Sequence, residues 1–270
     1  MTSYRDPLSP EQRDAYERDL ISFCDRELDL LGDIRGLNVL YAGGASPLWI
    51  EGLSQRIGGG GALTAIEADG NVVERARQGL GDADVAAPVG LAAGSVFEMP
   101  FEDGVFDLAY SAGFFHELDV GEKPVKAALA EMARVVRADG RVATGDWVDT
   151  GGEPQPVDLE WERMDAEAAG EADGARLYGI GPPERLVALH EEVLGDVQWR
   201  VSPPYPLRHL GEIMLTEPDE PVEWASLSEA VRSGLLAQRL ALKERIRREG
   251  YGRIATLYIE GRVRRVRSDR

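Results

Sequence analysis

Short apolar runs and amphipathic stretches alternate along the first half of the chain, and this alternation predicts the fold. An apolar run from Leu37 to Ala42 breaks into glycines, and a helical spacing of apolar residues follows from Leu48 to Arg56. Further apolar runs lie at 63–66, 89–93, 106–111 and 142–146, with helical patterns at 71–78 and 124–136 between them. Strands that alternate with helices of this length form right-handed crossovers around a mostly parallel sheet. The sequence therefore predicts an α/β, doubly wound fold.

The segments around this alternation are predicted to complete and cover the sheet. Ser9 and Pro10 are typical of a helix start, and the apolar stripe of that first helix includes Cys24, so we expect a buried thiol. Residues 149–181 show little apolar periodicity. A helix over 184–193 and strands at 197–201 and 254–260 follow. Between these last strands, the proline-rich stretch 203–221 precedes a helix ending at Gly250, whose predicted apolar stripe is Leu227, Val231, Leu235, Leu236, Leu240 and Ile246.

These elements divide the chain into four predicted parts. Residues 1–35 form a helical cap, 36–202 the Rossmann-like sheet domain, 203–252 a helical insertion or lid, and 253–270 the final strand with a basic tail. The insertion is treated as packed on the sheet domain because about 50 residues rarely enclose a sufficient core of their own. The apolar stripe within 224–249 can also pack between subunits, which makes a homodimer a further expectation.

Charge limits the partners of the chain. Its 270 residues contain 48 acidic and 30 Lys and Arg side chains, for a formal charge of −18, which repels a nucleic-acid backbone. We therefore predict no nucleic-acid partner. Residues 243–270 have the opposite sign, with ten basic and four acidic side chains, but Arg alternates with Val there, as is typical of a solvated strand face.

The cysteine count and the N-terminus indicate the compartment. Cys24 is the only cysteine, which excludes an internal disulfide and a zinc site built on several thiolates, and no metal site is predicted. The longest uncharged stretch, Gly36–Ile50, has fifteen residues, fewer than the roughly 20 of a membrane helix. Arg5, Asp6 and Glu11 stand where a signal peptide would need an apolar run. We predict a cytoplasmic protein without a membrane span.

Candidate binding chemistry follows the first two strands, where a doubly wound sheet places its ligand. Gly43 and Gly44 come between the first strand and a helix, so a ligand can approach the backbone closely and meet the helix N-terminus. Glu67 ends the second strand, where an acid can accept both hydrogen bonds of a ribose diol. Together they favour a nucleoside-bearing cofactor over an ordinary turn and a surface acid. The G-x-G-x-x-G fingerprint is incomplete, so NAD, and with it an oxidoreductase, is disfavoured.

Two longer motifs narrow the prediction. Residues 94–109 include Met-Pro-Phe-Glu-Asp-Gly-Val-Phe-Asp, and residues 130–141 include Glu-Met-Ala-Arg-Val-Val-Arg-Ala-Asp-Gly. Both closely resemble the class I S-adenosylmethionine-dependent methyltransferases of the ubiquinone/menaquinone-biosynthesis type, and the resemblance covers about residues 36–148. It implies a Rossmann-like, seven-stranded, mostly parallel sheet with an antiparallel last strand. It also implies S-adenosyl-L-methionine as cofactor and methyl transfer to a small-molecule acceptor.

The same resemblance implies a set of cofactor-binding residues: Tyr41, Gly43, Gly44, Glu67, Ala68, Ser95, Val96 and Ser111. In the family's pattern the loop from Tyr41 to Pro47 holds the methionyl part and Glu67 the ribose. Ala68, Ser95 and Val96 flank the adenine, and Ser111 lies beneath the methionyl part. Tyr41 replaces a usual acid, and Ala45 and Pro47 replace usual glycines. These departures keep a second interpretation open, a catalytically degenerate protein of this fold that acts as a binding or regulatory module.

The reaction itself requires few side chains, because the sulfonium is already activated and transfer depends mainly on near-attack geometry and water exclusion. His116 follows the fourth strand, where an imidazole can take a proton from the acceptor, and it is the predicted catalytic residue; capping of the next helix is the alternative. The predicted substrate pocket comprises Asp146, Trp147, Tyr205 and His209. His190 is expected on a helix surface.

Overall fold

A computed structural model describes residues 9–83, 85–118, 122–148, 150–152, 156–168 and 182–264. The strands are β1 Asn38–Ala42, β2 Ala62–Glu67, β3 Val89–Ala93, β4 Phe106–Ala112, β5 Val136–Trp147, β6 Leu194–Ser202, β7 Tyr205–Pro206, β8 Gly252–Arg253 and β9 Thr256–Val263. The helices are α1 Pro10–Leu28, α2 Pro47–Ile57, α3 Gly70–Gly79, α4 Glu122–Val135, α5 Val157–Ala168, α6 Pro183–Val193, α7 Arg208–Thr216 and α8 Glu229–Glu249.

Seven of these strands form one sheet, in the order β3-β2-β1-β4-β5-β9-β6. Strands β1 to β5 run parallel to one another, and β9 runs antiparallel between β5 and β6. The predicted doubly wound sheet with an antiparallel last strand is confirmed. Because β2 and β4 lie on opposite sides of β1, the switch point of the sheet is at the carboxyl ends of β1 and β4.

Alternate residues of each strand enter two apolar layers. Leu40, Ala109 and Val142 face one layer, which α4 and α6 cover. Val39 and Leu108 face the other, under α1 and α2. Side chains alternate across a strand, so these continuous apolar runs are buried on both faces, as in other parallel sheets.

Predicted and observed strands agree closely where one apolar run makes one strand, as at 63–66, 89–93 and 106–111. The strand predicted at 142–146 is longer, because Val136 already pairs with Phe106 and pairing resumes at Arg141 after a bulge. Asp139, inside that bulge, has a φ of +64°, a left-handed conformation that Asp adopts more readily than most residues.

A third apolar cluster lies in the helices outside the sheet, and two of its helices were not predicted. Helix α5 lies within the segment expected to lack periodicity, and α7 lies within the proline-rich stretch. Val157, Trp161 and Met164 of α5 are spaced at helical intervals and buried, but acidic residues between them weaken the pattern. The cluster joins α1, α5, α7 and α8 through Phe23, Cys24, Trp161, Leu210, Met214, Leu235 and Ile246. The buried thiol of Cys24 is confirmed.

The apolar stripe predicted for α8 is only partly correct. Leu235 and Ile246 are buried, but Val231 and Leu240 are 42% and 44% exposed, and Arg239 and Lys243 are buried instead. The Arg239 guanidinium lies 4.6 Å from the Trp161 ring centroid and 5.5 Å from that of Trp224, and it pairs with Glu217 at 2.5 Å. Two indole faces and a carboxylate thus compensate a buried cation that an apolar pattern cannot predict.

His190 is also buried, contrary to the expected helix-surface position. Its Nδ1 donates to the carbonyl of Leu186 at 2.8 Å, and its Nε2 accepts from the Thr144 hydroxyl at 2.9 Å. A carbonyl only accepts, so the neutral tautomer carries its proton on Nδ1. Burial disfavours the charged ring and lowers the pKa of His190 to about 4.

Within the described residues, no helix combines the length and the apolar character that a membrane crossing requires.

We predict that His190 makes folding sensitive to mild acid. Between about pH 6.5 and 4 the unfolded chain takes up a proton at this position and the folded chain does not, so stability falls as the pH decreases, by up to about 3 kcal/mol. Urea unfolding of wild type and His190→Gln should therefore give a difference in unfolding free energy that shrinks from pH 7.5 to pH 4.5. His209→Gln, a change to a more exposed histidine, is the control. A pH-independent difference for His190→Gln would contradict the prediction.

Candidate active site

The glycine loop between β1 and α2 is tied to the end of β2. The amides of Gly43 and Gly44 both donate to the carbonyl of Ile66, at 3.0 and 3.1 Å. Gly43 has a φ of +77°, which a residue with a Cβ adopts only with strain. The loop is therefore held in place by β2 before any ligand is considered.

Two aromatic side chains of the chain itself pack against this loop. A Cβ placed on Gly43 would lie 2.5 Å from Cδ2 of Phe114, and one on Gly44 would lie 2.7 Å from Oη of Tyr41. Real Cβ atoms essentially never come this close to another atom, so a side chain at either position would require the neighbouring ring to move. Tyr41 is buried below the loop and stacks on Tyr110 at 6.3 Å.

Glu67 lies at the carboxyl end of β2, half-buried, with Ala68 exposed beside it. Its Oε1 accepts from the amide of Asp69 at 2.9 Å, and Asp69 in turn caps α3 by accepting from the Asn71 amide. Among the described residues, Oε2 of Glu67 has no hydrogen-bond partner. A half-buried carboxylate is thus oriented by one oxygen and keeps the other available.

The ends of β3 and β4 bring the remaining predicted cofactor residues to the same edge. Ser95 is exposed, and its hydroxyl accepts from the Phe97 amide at 3.2 Å in a tight turn. Val96 beside it is buried. Ser111 lies near the end of β4, where its buried hydroxyl has no partner within the described part of the chain. The strand order β3-β2-β1-β4 therefore places the predicted residues along one edge of the sheet.

A buried Asp–His pair stands where β4 and β5 end side by side. Oδ1 of Asp146 is 2.8 Å from Nδ1 of His116 and accepts from the Trp147 amide at 2.7 Å. Oδ2 accepts from the amides of Phe115 and His116 at 2.6 and 3.3 Å. The Trp147 ring stacks on the imidazole, with centroids 4.4 Å apart and planes at 17°. A carboxylate only accepts, so Nδ1 carries the proton and the lone pair of the neutral ring is on Nε2.

Tyr205 and His209 lie within residues 203–252, the predicted insertion, and contact α1. The Tyr205 ring meets Phe23 edge-on at 5.7 Å and lies 4.6 Å from the Arg26 guanidinium. Asp19 accepts from the backbone amide of His209 at 2.7 Å, and its carboxylate is 3.1 Å from Nδ1 of the ring. The structure therefore unites Asp146, Trp147 and His116, whereas it places Tyr205 and His209 in the joint between α1 and α7.

Side chains that the sequence did not single out connect Tyr205 with the glycine loop. Trp49, in the first turn of α2, lies 6.4 Å from Phe23 and 6.0 Å from Tyr110. An aromatic row, defined as Tyr205, Phe23, Trp49, Tyr110 and Tyr41, thus runs from the lid to the glycine loop. Phe114 lies beyond it on the other side of the loop. The aromatic residue types were visible in the sequence, but nothing in their spacing indicated these contacts.

An open depression of about 850 Å³ lies elsewhere, at the amino edge of the sheet. Its lining includes Asp33, Arg35, Gly36 and Gly58, which precede β1 or follow α2. Asp33 and Arg35 pair with each other at 2.8 Å on the surface. In a doubly wound sheet ligands bind at the opposite, carboxyl edge, so this depression is separate from the candidate site.

We predict that Gly44→Ala destabilises the fold through Tyr41 alone. The new Cβ would overlap the phenol oxygen, and overpacking of this kind costs about 1–3 kcal/mol. The double variant Gly44→Ala/Tyr41→Phe, which lacks the closest atom, should recover about half of the lost unfolding free energy in urea titrations. Gly43→Ala is the comparison, because its positive φ adds strain that no change at Tyr41 relieves. Additive effects in the double variant would show that the contact is absent.

Comparison with known proteins identifies a family model that matches part of the chain. Residues 42–144 match the family model described as a methyltransferase domain. A search of curated protein sequences finds no match. The matched region runs from the end of β1 into β5, and it includes the glycine loop, Glu67 and His116.

Solved structures of similar fold include several methyltransferases. Geranyl diphosphate methyltransferase in complex with S-adenosylmethionine is 18% identical, with a TM-score of 0.56 over 97% of this chain and 94% of that chain. Phosphoethanolamine N-methyltransferase 2 of Haemonchus contortus is 14% identical, with a TM-score of 0.58 over 98% of this chain and 61% of that chain. The [4+2]-cyclase SpnF is 16% identical, with a TM-score of 0.54 over 89% and 80%. At these identities the likeness concerns the fold.

Proposed function

We propose that this chain, which carries a methyltransferase domain of the class I S-adenosylmethionine-dependent type, transfers a methyl group from S-adenosylmethionine to a small-molecule acceptor. One observation carries the proposal. The adjacent ends of β2, β1, β4 and β5 present, in that order, an acid with an available oxygen, a glycine loop, and an imidazole held by a buried carboxylate. A methyl donor and a methyl acceptor bound side by side at this edge would lie next to groups that bind the donor and, beside these, a group that accepts a proton.

The nucleoside half of the donor fits the residues at the ends of β2 and β3. Oε2 of Glu67 is available to accept from a ribose hydroxyl, since Oε1 already binds the Asp69 amide. Exposed Ala68 and the Ser95 turn, with Val96 buried behind it, offer an apolar and polar surface for an adenine. These positions match the roles that the family resemblance implies.

The methionyl half belongs on the glycine loop, above Tyr41 and beside Ser111. Glycines leave the backbone of this loop approachable, and the following helix directs its first amides toward the edge. S-adenosylmethionine, when bound, supplies a methyl group on an activated sulfonium. The protein's part is to align the donor with the acceptor and to exclude water, which lowers the barrier without a covalent intermediate.

His116 is proposed to take the acceptor's proton. Asp146 accepts from Nδ1, so Nε2 is the nitrogen that receives the proton, and the carboxylate then stabilises the imidazolium that forms. Trp147 covers one face of the ring and fixes its plane. With Asp146 committed to four N–H groups, its task is to position His116 rather than to react itself.

The acceptor is proposed to be a small molecule held between this edge and the lid. Trp147 offers an apolar wall beside the base. Tyr205 and His209 stay predicted pocket residues on the lid side. The net charge of −18 favours an acceptor other than a nucleic acid. A cytoplasmic location and a homodimer likewise stay predictions.

Titration calorimetry with S-adenosylhomocysteine tests the cofactor site. We expect binding by the wild type and at least tenfold weaker binding by Glu67→Ala, because the ribose loses a charged hydrogen-bond acceptor worth about 1.5–3 kcal/mol. Glu102→Ala, which removes an exposed acid from the loop before β4, is the matched control and should bind as the wild type does. No heat from the wild type at high micromolar ligand would contradict the proposed function.

The second candidate, a methyltransferase fold without catalysis, is favoured by the two rings that cover Gly43 and Gly44. The same titration separates the candidates. Under the degenerate interpretation the wild type gives no heat, and Tyr41→Asp, which restores the acid usual at that position, gains binding. Under the proposed function the wild type already binds.

We predict that His116→Ala lowers kcat about 100-fold or more with acceptors that must lose a proton. Methyl transfer from radiolabelled S-adenosylmethionine to a panel of phenols of graded acidity provides the measurement. The defect should be largest for the least acidic phenols and smallest for phenols already ionised at the assay pH. Binding of S-adenosylhomocysteine should change less than twofold. Full turnover by His116→Ala across the panel would show that it is not the base.

A further inference from the structure

Phe114 occupies the open side of the glycine loop. It follows β4 and immediately precedes the 3-10 turn Phe115–Glu117. Its Cδ2, Cγ and Cε2 atoms would all lie within 3.1 Å of a Cβ on Gly43, so the flat side of the ring rests on the Cα of that glycine. At this spacing no ligand atom fits between the ring and the loop.

Two other groups contact the loop and are fixed. Both loop amides donate to the Ile66 carbonyl, and the Tyr41 hydroxyl lies against Gly44 from below. Tyr41 is only 3% exposed and stacks on Tyr110, so it is part of the core. Gly43 and Gly44 are partly exposed, and the Phe114 ring covers the side of Gly43 from which a Cβ would project.

The backbone on both sides of Phe114 is anchored, whereas its ring is held by packing alone. The Gly113 amide donates to the Gly145 carbonyl at 2.8 Å, and the Phe115 amide donates to Asp146 at 2.6 Å. Phe114 itself is half-buried and meets the Phe115 ring edge-on at 5.4 Å. A half-buried ring on a fixed backbone can leave Gly43 by rotation about χ1, without any change in the sheet.

We propose that Phe114 sets the affinity for the methyl donor, because its ring covers Gly43 and must rotate away before the methionyl chain can bind there. This inference rests on the proposed function, since it assigns the methionyl part of S-adenosylmethionine to the Gly43 face. The covered and uncovered forms are two states of one chain. Apparent affinity is then the intrinsic affinity multiplied by the uncovered fraction.

Removing the ring should therefore tighten binding. We expect Phe114→Ala to lower the Kd for S-adenosylhomocysteine about tenfold in titration calorimetry, with a faster association rate in stopped-flow measurements of tryptophan fluorescence. Phe114→Leu, whose side chain is shorter and better tolerated in an apolar layer, should give an intermediate Kd. It also serves if the alanine variant folds poorly, which thermal unfolding of each variant would reveal.

Phe101→Ala is the matched control. Phe101 is likewise half-buried against the apolar layer under α4 and α6, and it meets Phe106 edge-on at 5.2 Å, but its ring is not among the atoms that approach Gly43. Its removal should leave the Kd within twofold of the wild-type value. A control that tightened binding as much as Phe114→Ala would overturn the inference.

The outcomes at Phe114 separate this inference from the proposed function. Wild-type binding with an unchanged or weaker Kd in both Phe114 variants overturns the inference and keeps the proposed function. Wild-type binding that becomes tighter in both Phe114 variants supports the inference and the proposed function together. The absence of binding in all variants overturns the proposed function and the inference together.

Discussion

The carboxylate of Asp146 is the interaction on which the geometry of the candidate site depends. It is 1% exposed and receives four N–H groups, from Phe115, from the backbone and ring of His116, and from Trp147. Hydrogen bonds to a charged acceptor contribute about 1.5–3 kcal/mol each, and a buried charge without them would be strongly destabilising. Three of these donors come from the segment after β4, whereas the acceptor and the Trp147 amide belong to β5, so one side chain fixes how the chain leaves both strands. The imidazole and the Phe114 ring take their positions from that arrangement.

The glycine pair shows how one local sequence can satisfy two requirements. A ligand that approaches a backbone and a ring that packs on it both exclude a Cβ, so the sequence alone cannot distinguish a cradle from a packing contact. Here Phe114 and Tyr41 supply the packing contacts, one on each glycine. The two rings differ in burial, since Tyr41 is 3% exposed in the core and Phe114 is half-buried at the edge. Gly43 can therefore serve both as a ligand-binding position and as a packing contact for Phe114, whereas Gly44 serves only as a packing contact for Tyr41.

The sheet was predictable because each buried strand is a local apolar run with turn residues at its ends. The alternation of such runs with helices predicted the topology, and the motifs at 94–109 and 130–141 predicted the methyltransferase domain whose family model matches residues 42–144. The lid was less predictable, because its helices are stabilised by contacts between segments far apart in the chain. Arg239 is polar by type and lies buried against two tryptophans from other segments. Outside 203–252, His190 of α6 is likewise buried, where its ring accepts from Thr144 of β5. No periodicity within one helix contains that information.

The sequence predicted which residues lie along the sheet edge at the candidate site. It did not predict which side chains contact one another there. Gly43, Glu67, His116 and Asp146 each follow a strand, and parallel strands bring such positions together whatever the side chains are. The aromatic row arises differently, from α1, α2, β1, β4 and β7, and its rings meet at 5.7–6.4 Å. Aromatic contacts of this kind contribute about 0.5–1.5 kcal/mol each beyond the area they bury, and of the four contacts in the row only that between Tyr205 and Phe23 joins residues 203–252 to α1.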